Sequence, residues 1–339
     1  MKITCSVCQY DNLIADEDIS ATSFSFLCEK CNQLLSVKIL VEALSLVKSA
    51  ANEVETDKKP QNRVADYIKE HMDDIELPVL PVLASKIQEA RKNTNVSIVD
   101  IAELVKTDQI IASKILEMAN SALYGGLVEI TDLKRAIVKL GLNTTEMLIQ
   151  ALENRRIYST KNRHVMPILE KLWLHALGVA ITAQEIARER KMEEASEIFT
   201  AGLLHDFGYV LFLQALIQAK GFKVDLEALT IEEFMEVAYE EHARLGAHFL
   251  SHRGLPKQLT DIVACHEETP EEEVGNLSLH AVTLANLLCK KVGIALVPEP
   301  DLRLELAESA QVLGFSELKL ADMEVRCEDL IHKLHQLLG

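Results

Sequence analysis

The chain has 339 residues, 48% of them hydrophobic, and a formal net charge of −17, which is enough apolar content to bury the cores of two or three domains. The acidic balance argues against a nucleic-acid-binding protein, because such proteins carry a basic face. No apolar run reaches membrane-spanning length, and the first residues lack the apolar stretch of a signal peptide. We therefore expect a soluble, cytoplasmic protein with no membrane partner.

Four of the seven cysteines form two closely spaced pairs near the beginning of the chain: Cys5 with Cys8, and Cys28 with Cys31. Two such pairs can place four thiolates around one tetrahedral Zn²⁺, and the β-prone run 22–27 between them allows a hairpin. A segment of about 40 residues has too small a core to fold alone, so a metal would supply the missing stability. The pattern predicts a small β zinc ribbon over residues 1–40 that resembles modules of bacterial regulatory proteins. Redox-active or incidental cysteines are the alternative.

The rest of the sequence is predicted to be almost wholly helical. Residues 41–62 contain a short helical pattern followed by a polar, proline-containing run, and we interpret them as a linker. Beyond them, apolar residues recur at three- and four-residue spacing, and N-cap residues mark helix starts. The predicted caps are Ser97, Asp108, Asp132 and Asn143, and the later predicted helices are 167–190, 194–204, 209–219, 231–251, 256–267 and 277–292, with two or three more in the last 40 residues.

The segment Gly202-Leu-Leu-His205-Asp206-Phe-Gly208 carries the clearest chemical signal. An adjacent imidazole and carboxylate can bind one divalent cation together, or one can orient the other. Further histidines lie in helical sequence on both sides: His175 upstream, and His242 and His266 downstream. In chain order, and with Asn286 near the end, this series resembles the metal-binding residues of the HD-domain superfamily, which are a histidine, an HD pair, further histidines and a late aspartate.

More of the chain resembles one branch of that superfamily, the HDOD domain. The matching segments are Leu77-Pro-Val-Leu-Pro81, residues 107–125, Ala136-Ile-Val-Lys-Leu-Gly141, Phe199–Gly208, and Leu245-Gly246-Ala followed by Gly254-Leu-Pro256. This resemblance implies an all-α bundle with its site inside. We therefore assign residues 63–292 to a helical HDOD domain and residues 293–339 to a helical C-terminal extension. The predicted fold class is mainly all-α, preceded by the small β zinc ribbon.

The resemblance implies a cluster whose members are His175, His205, Asp206, His242, His266 and Asn286. Two positions depart from the superfamily's pattern: Asn286 replaces the usual aspartate, and Glu267 follows His266 where many relatives have a second histidine. A neutral amide is a weaker ligand for a hard cation than a carboxylate. The cluster is therefore expected either to hold a divalent metal or to form a metal-free set of hydrogen bonds inside the bundle.

Several residues outside this cluster are given structural roles. His164, His252 and His280 are expected at the surface or at helix ends, and His248 is expected to pack on a different face from His242. Asn120-Ser121 is expected to end and cap its own helix, with a contact surface as the alternative. The remaining cysteines lie in apolar helical sequence and are expected to be buried or half-buried; they are Cys265, Cys289 and Cys327.

HDOD domains are known as regulatory or output modules of bacterial signalling, whereas HD-superfamily enzymes use a metal-activated water to cleave phosphate esters. Because both departures weaken the ligand set, we expect a signalling regulator that acts through contacts with a protein partner, while the question of catalysis stays open. The alternatives are a metal-dependent phosphohydrolase acting on a nucleotide or cyclic dinucleotide, and a non-catalytic adaptor that binds a nucleotide. No phosphate-binding glycine loop is visible in the sequence, which weakens both alternatives.

Overall fold

The computed structural model of the chain describes residues 2–4, 11–13, 23–27, 30, 34–38, 83, 86–87, 97–121, 124–125, 129–218 and 229–338. The chain divides into two compact units, residues 1–57 and residues 58–339. In the first unit, β1 (Lys2–Thr4) pairs antiparallel with β2 (Asp11–Leu13), and β3 (Ser23–Leu27) pairs antiparallel with β4 (Leu34–Lys38). The four cysteines of the predicted zinc ribbon and the predicted linker lie outside the described residues.

The described part of the second unit consists of helices joined by turns and irregular segments. Its helices are α1 (Ile98–Lys106), α2 (Gln109–Asn120), α3 (Leu133–Leu140), α4 (Leu142–Ile157), α5 (Met166–Glu189), α6 (Ala195–Leu204), α7 (Phe207–Gln218), α8 (Ile231–Ala238), α9 (His242–His252), α10 (Lys257–Cys265), α11 (Leu277–Lys291), α12 (Glu308–Val312) and α13 (Glu317–Leu338). Short 3₁₀ turns occur at Glu271–Glu273 and Leu304–Leu306. This unit has the all-α architecture that the sequence predicts.

The starts of the first three helices are set by the predicted caps. The Ser97 hydroxyl accepts a hydrogen bond from the Asp100 amide, and the Asp100 carboxylate accepts one from the Ser97 amide, so the two residues form a capping box. Asp108 and Asp132 accept hydrogen bonds from free amides at the starts of α2 and α3. The predictions of these three caps are confirmed.

Two helix predictions are wrong. Asn143 does not cap α4, because Gly141 both ends α3 and precedes the first residue of α4, which leaves no cap position for Asn143. The φ of +80° at Gly141 is one that side chains disfavour, and it allows this direct junction. The single helix predicted over 231–251 is divided into α8 and α9, and the break at Tyr239–Glu241 lies directly before His242.

The long helix α5 is the centre of the second unit. Its residues are buried around most of its circumference, which is typical of a helix surrounded by other helices. One hydrophobic cluster extends from α1 to α10. A second cluster joins α5 and α11 to residues of the C-terminal segment, including Leu313 and Met323. The C-terminal helices therefore pack on the same bundle as α5.

Among the described helices, one stretch has the length and apolar composition of a membrane span. It is Ala195–Gln218, with a mean hydropathy of 1.3, and 89% of it is buried inside the protein. The stretch comprises α6 and α7 with His205 and Asp206 between them. Its burial is that of a core helix pair in a soluble domain.

The Asn120-Ser121 pair ends α2 as predicted, with Ser121 at the C-cap, and Asn120 has a tertiary role as well. Its side-chain amide donates to the Ile130 carbonyl and its side-chain oxygen accepts from the Ile130 amide, both at 2.8 Å. The side chain therefore pairs with the backbone ten residues later as a neighbouring strand would. This pairing fixes the chain just before α3.

Asn120→Ala is expected to lower the free energy of unfolding by about 1–3 kcal/mol, because both backbone groups of Ile130 lose their partner. Urea unfolding measures this loss. Ser121→Ala is the matched control, since the Ser121 hydroxyl is buried and makes no hydrogen bond within the described residues. A loss in Asn120→Ala no larger than that in Ser121→Ala would contradict the prediction.

Candidate metal centre

The His205-Asp206 pair lies at the junction between α6 and α7. His205 is held there by a hydrogen bond from its Nδ1 to the Gly202 carbonyl, at 2.8 Å. The flanking glycines permit close backbone contacts. A Cβ at Gly202 would lie 2.5 Å from the Ala180 Cα of α5, and a Cβ at Gly208 would lie 2.7 Å from the His242 Cα. The glycines of the motif therefore bring α5 and α9 against the His-Asp pair.

Three other elements bring their histidines to Asp206. His175 comes from α5, His242 is the first residue of α9, and His266 directly follows α10. Oδ2 of Asp206 lies 3.4 Å from His175 Nε2 and 3.3 Å from His205 Nε2. Oδ1 lies 3.4 Å from His242 Nε2 and 3.2 Å from His266 Nε2. The structure thus brings five of the six predicted residues together, and none of these five side chains is more than 6% exposed.

All four imidazoles are oriented in the same way by the backbone. Each Nδ1 lies at hydrogen-bond distance from a carbonyl, which can only accept, so each Nδ1 carries the proton. The acceptors are the carbonyls of Ile294 for His175, Gly202 for His205, Tyr239 for His242 and Val263 for His266. In the neutral rings, every Nε2 therefore directs a lone pair toward Asp206. This is the arrangement that metal-binding histidines use.

The distances between these atoms fit a bound cation. His175 Nε2 lies 3.2 Å from His205 Nε2, and His242 Nε2 lies 3.3 Å from His266 Nε2. Two ligands that are each about 2.0–2.1 Å from one metal are about 2.8–3.4 Å apart at octahedral or tetrahedral angles. In addition, the buried Oδ1 of Asp206 has no hydrogen-bond partner within the described part of the chain. A cation would satisfy these lone pairs, and imidazole with carboxylate suits divalent transition metals.

The charges of the cluster shift its pKa values in both directions. Burial acts to raise the pKa of Asp206, but the surrounding imidazoles, His205 foremost, outweigh it and hold that pKa well below its ordinary value. Burial lowers the pKa of His175 to about 4, although Asp206 partly opposes this. For His266, burial is outweighed by Asp206 and Glu267, and its pKa is raised. Asp206 is therefore a buried anion, and His175 is neutral near pH 7.

The metal-free protein is expected to lose stability through His175 as the pH falls from 6.5 towards 4. His175 takes up its proton near pH 6.5 in the unfolded chain but only near pH 4 in the fold, so the unfolded state binds more protons across this window and becomes favoured. The loss approaches about 3 kcal/mol at the acid end, at about 1.36 kcal/mol per pH unit.

Urea unfolding in the presence of a chelator, at pH 7 and pH 5, measures this effect. His175→Gln should have a weaker pH dependence than the wild type, because it lacks this titrating group. The comparison also removes the opposite contribution of His266, which both proteins share. The same pH dependence in both proteins would contradict the assignment.

A second group of polar residues adjoins the cluster. Glu267 Oε1 lies 3.6 Å from His266 Nε2, and the Glu267 carboxylate accepts hydrogen bonds from Lys290 Nζ at 2.9 and 3.0 Å. Asn286, the sixth predicted residue, is buried and donates from Nδ2 to Glu267 Oε1 at 3.2 Å. Asn286 is therefore hydrogen-bonded to Glu267, and no hydrogen bond between Asn286 and Asp206 is found within the described residues.

Sequence reasoning missed the parts played by Glu267, Lys290 and Tyr209. Lys290 lies four residues after Asn286 on α11 and so shares its face, which is the signal that could have identified it. The Tyr209 ring stacks on the His242 ring at 4.0 Å between centroids and 10° between planes. Tyr209 follows Asp206 by three residues, but nothing in the sequence indicates its partner.

The other histidines and cysteines occupy varied places. His164 and His252 are exposed, as predicted. His280 is fully buried and bonds through Nε2 to the Val274 carbonyl at 2.7 Å, so its predicted surface position is wrong. His248 is exposed and does not pack in the interior. As predicted, Cys265 is half-buried and the other two, Cys289 and Cys327, are buried.

An all-α bundle with a His-Asp pair and convergent histidines at its centre is the architecture of the HD-domain superfamily. The family model of the HDOD domain matches residues 77–269, which is more than half of the chain. The chain therefore belongs to the HDOD domain family.

One curated protein is similar to this chain at low identity. An uncharacterized protein from Treponema pallidum (strain Nichols) is 25% identical over 233 residues, which cover 66% of this chain and 44% of that protein. The chain thus spans less than half the length of this relative.

Solved structures share the fold. An HDOD domain protein of unknown function from Geobacter sulfurreducens has a TM-score of 0.59 at 21% identity, covering 80% of this chain and 96% of that chain. A proposed signal transduction protein from Marinobacter aquaeolei VT8 has a TM-score of 0.60 at 18% identity, covering 94% and 76%. A proposed metal-dependent phosphohydrolase from Shewanella amazonensis SB2B has a TM-score of 0.56 at 18% identity, covering 80% and 97%. At these identities the similarity establishes the fold alone.

Proposed function

We propose that this protein is a cytoplasmic signalling regulator that acts through protein contacts, and that its buried centre binds a divalent transition metal as a structural element. The ligands would be His175, His205, Asp206, His242 and His266. The similarity to a proposed signal transduction protein supports the regulatory part. The four Nε2 lone pairs directed at one buried carboxylate support the metal-binding part.

The burial of the centre is the observation that favours regulation over hydrolysis. None of its five side chains is more than 6% exposed. A phosphate ester must reach the metal and its activated water to be cleaved, and a cation held among these side chains would not be accessible to it. Glu267 and Lys290, which adjoin the centre and are partly exposed, are bonded to each other.

A cation bound there would supply positive charge that offsets the buried Asp206 carboxylate. Within the chain, His175 belongs to α5, Asp206 to the α6–α7 junction, and His242 and His266 to the ends of α9 and α10. Shared ligation would therefore fix these elements relative to one another. With these elements fixed, the helical unit would be a rigid scaffold whose exposed residues contact a partner.

Hydrolysis is the second candidate, because one structural relative is named as a proposed metal-dependent phosphohydrolase. The decisive experiment loads the protein with Mn²⁺ or Fe²⁺ and assays phosphate release from mononucleotides, cyclic dinucleotides and generic phosphodiesters. We expect bound metal without turnover. Turnover of about 1 s⁻¹ that is lost in Asp206→Ala would replace the regulatory proposal by the hydrolase. Calorimetry with the same nucleotides would reveal a nucleotide-binding adaptor.

We further propose that residues 1–40 form a zinc ribbon in which Cys5, Cys8, Cys28 and Cys31 bind one structural Zn²⁺, followed by a linker over 41–62. The CxxC spacing of both pairs supports this. Cys8→Ser is expected to release the zinc while the helical unit keeps its circular dichroism spectrum and its melting temperature. Elemental analysis compares the zinc content of the two proteins, and a Cys8→Ser protein that retains as much zinc as the wild type would end this proposal.

A further inference from the structure

The carboxylate of Glu267 is surrounded by donors. Oε1 accepts from Lys290 Nζ and from Asn286 Nδ2. Oε2 accepts from Lys290 Nζ and, at 3.4 Å, from the Tyr239 hydroxyl. Lys290 is the one cation among these donors, and its Nζ lies 2.9 Å from Oε1 and 3.0 Å from Oε2. Glu267 is therefore an anion whose lone pairs are all directed at protein donors.

The same carboxylate is positioned to be a metal ligand. Ligand atoms of Asp206, His242, His266 and Glu267 all lie within 4.8 Å of one another. The cluster thus has two halves that share Asp206. The first half is His175, His205 and Oδ2 of Asp206, and the second half is His242, His266, Oδ1 of Asp206 and Glu267. The Lys290 ammonium would therefore compete for the Glu267 carboxylate with any metal ion bound in the second half.

Charge counting favours Lys290 in this competition. Two carboxylates and one ammonium leave the region with a single negative charge when the imidazoles are neutral. One divalent cation would change the net charge of the region to +1. A second divalent cation would raise it to +3, in a site that is nearly closed to water. Uncompensated charge of that size is costly in a protein interior.

Asn286 belongs to the same arrangement. Its neutral amide donates to Glu267, whereas an aspartate at this position would place a second carboxylate against the first. Lys290, four residues later on α11, approaches Glu267 from the same helix. The two departures from the superfamily's pattern, Asn286 and Glu267, therefore belong to one bonded unit with Lys290.

We propose that the Lys290 ammonium takes the place of a second metal ion, so that the centre binds one divalent cation and Glu267 remains bonded to protein donors. This inference rests on the proposed metal-binding function. Lys290→Met removes the ammonium, frees Glu267 as a ligand, and is expected to raise the metal content from one ion per chain to two.

The probe is Mn²⁺ added to chelator-treated protein that has been given one equivalent of Zn²⁺ per chain, because the four thiolates of the predicted ribbon take up that zinc and leave the buried centre to manganese. Native mass spectrometry counts the bound Mn²⁺, and electron paramagnetic resonance distinguishes a single ion from a coupled pair. We expect one ion in the wild type and a coupled pair in Lys290→Met. Lys291→Met is the matched control, since Lys291 bonds to Glu324 and to the Leu302 carbonyl instead, and it should bind one.

Lys290→Gln is the second variant, in case Lys290→Met does not fold. The glutamine amide can still donate a hydrogen bond to Glu267 and so helps to preserve the fold. This variant is also expected to bind two ions. Two ions in the wild type, or one ion in every folded Lys290 variant, would overturn the role of Lys290. A wild type that binds no Mn²⁺ would instead overturn the metal-binding function, so the two failures are distinguishable.

Discussion

Asp206→Asn is expected to abolish metal binding at the buried centre. The Asp206 carboxylate has an oxygen within 3.4 Å of each of the four imidazole Nε2 atoms. The substitution keeps the shape of the side chain but removes the negative charge that would offset the cation. Even residues that only support the ligands commonly change metal affinity by about 10–100-fold, so loss of this shared ligand should exceed about 100-fold.

The effect of metal on stability provides the measurement. A ligand that binds only the folded state stabilises it by about 2.7 kcal/mol at 100 times its dissociation constant. Saturating Mn²⁺ should therefore raise the melting temperature of the chelator-treated wild type and leave Asp206→Asn unchanged. Asp261→Asn, which alters an exposed ion pair with Lys257, should respond as the wild type does. An equal metal response in Asp206→Asn would show that the cation binds elsewhere.

Gly208→Ala is expected to be the most destabilising small substitution in the motif. A Cβ at this position would overlap the His242 carbonyl oxygen and lie 2.5 Å from its carbon, whereas carbon atoms pack best at about 3.5–4.0 Å. The obstacle is backbone, so no side-chain rotation relieves it. Overpacking typically costs about 1–3 kcal/mol, and we expect a loss of unfolding free energy at or above the upper end.

Gly275→Ala is the matched control, since a Cβ there meets no atom within 4 Å. Urea unfolding of the metal-free proteins compares the two variants. If α7 moves away from α9 to accommodate the methyl group, His242 is displaced from Asp206, and Mn²⁺ affinity should fall together with stability. A Gly208→Ala protein as stable as Gly275→Ala would contradict this contact.

Much of the helical architecture could be predicted from the sequence because its determinants are local. Ser97, Asp108 and Asp132 satisfy amides within three residues of themselves, so their identity alone marks a helix start. The apolar periodicity likewise identifies α5 and α11 to within a residue or two. The series from His175 to His266 was proposed from its resemblance to a family, and the placement of these side chains around Asp206 was decided by the tertiary structure.

Only the tertiary structure decided which polar side chains meet. The Nδ1 proton of His175 is fixed by the carbonyl of Ile294, 119 residues away, and Glu267 meets Lys290 across 23 residues. Neither partner is specified by periodicity, which identifies the buried face of a helix but not the element that covers it. The same physical reason explains why the burial of His280 was not predicted, since it depends on the neighbouring helices. It also explains why the break before His242 was not predicted, since the chain turns there to bring that imidazole to Asp206.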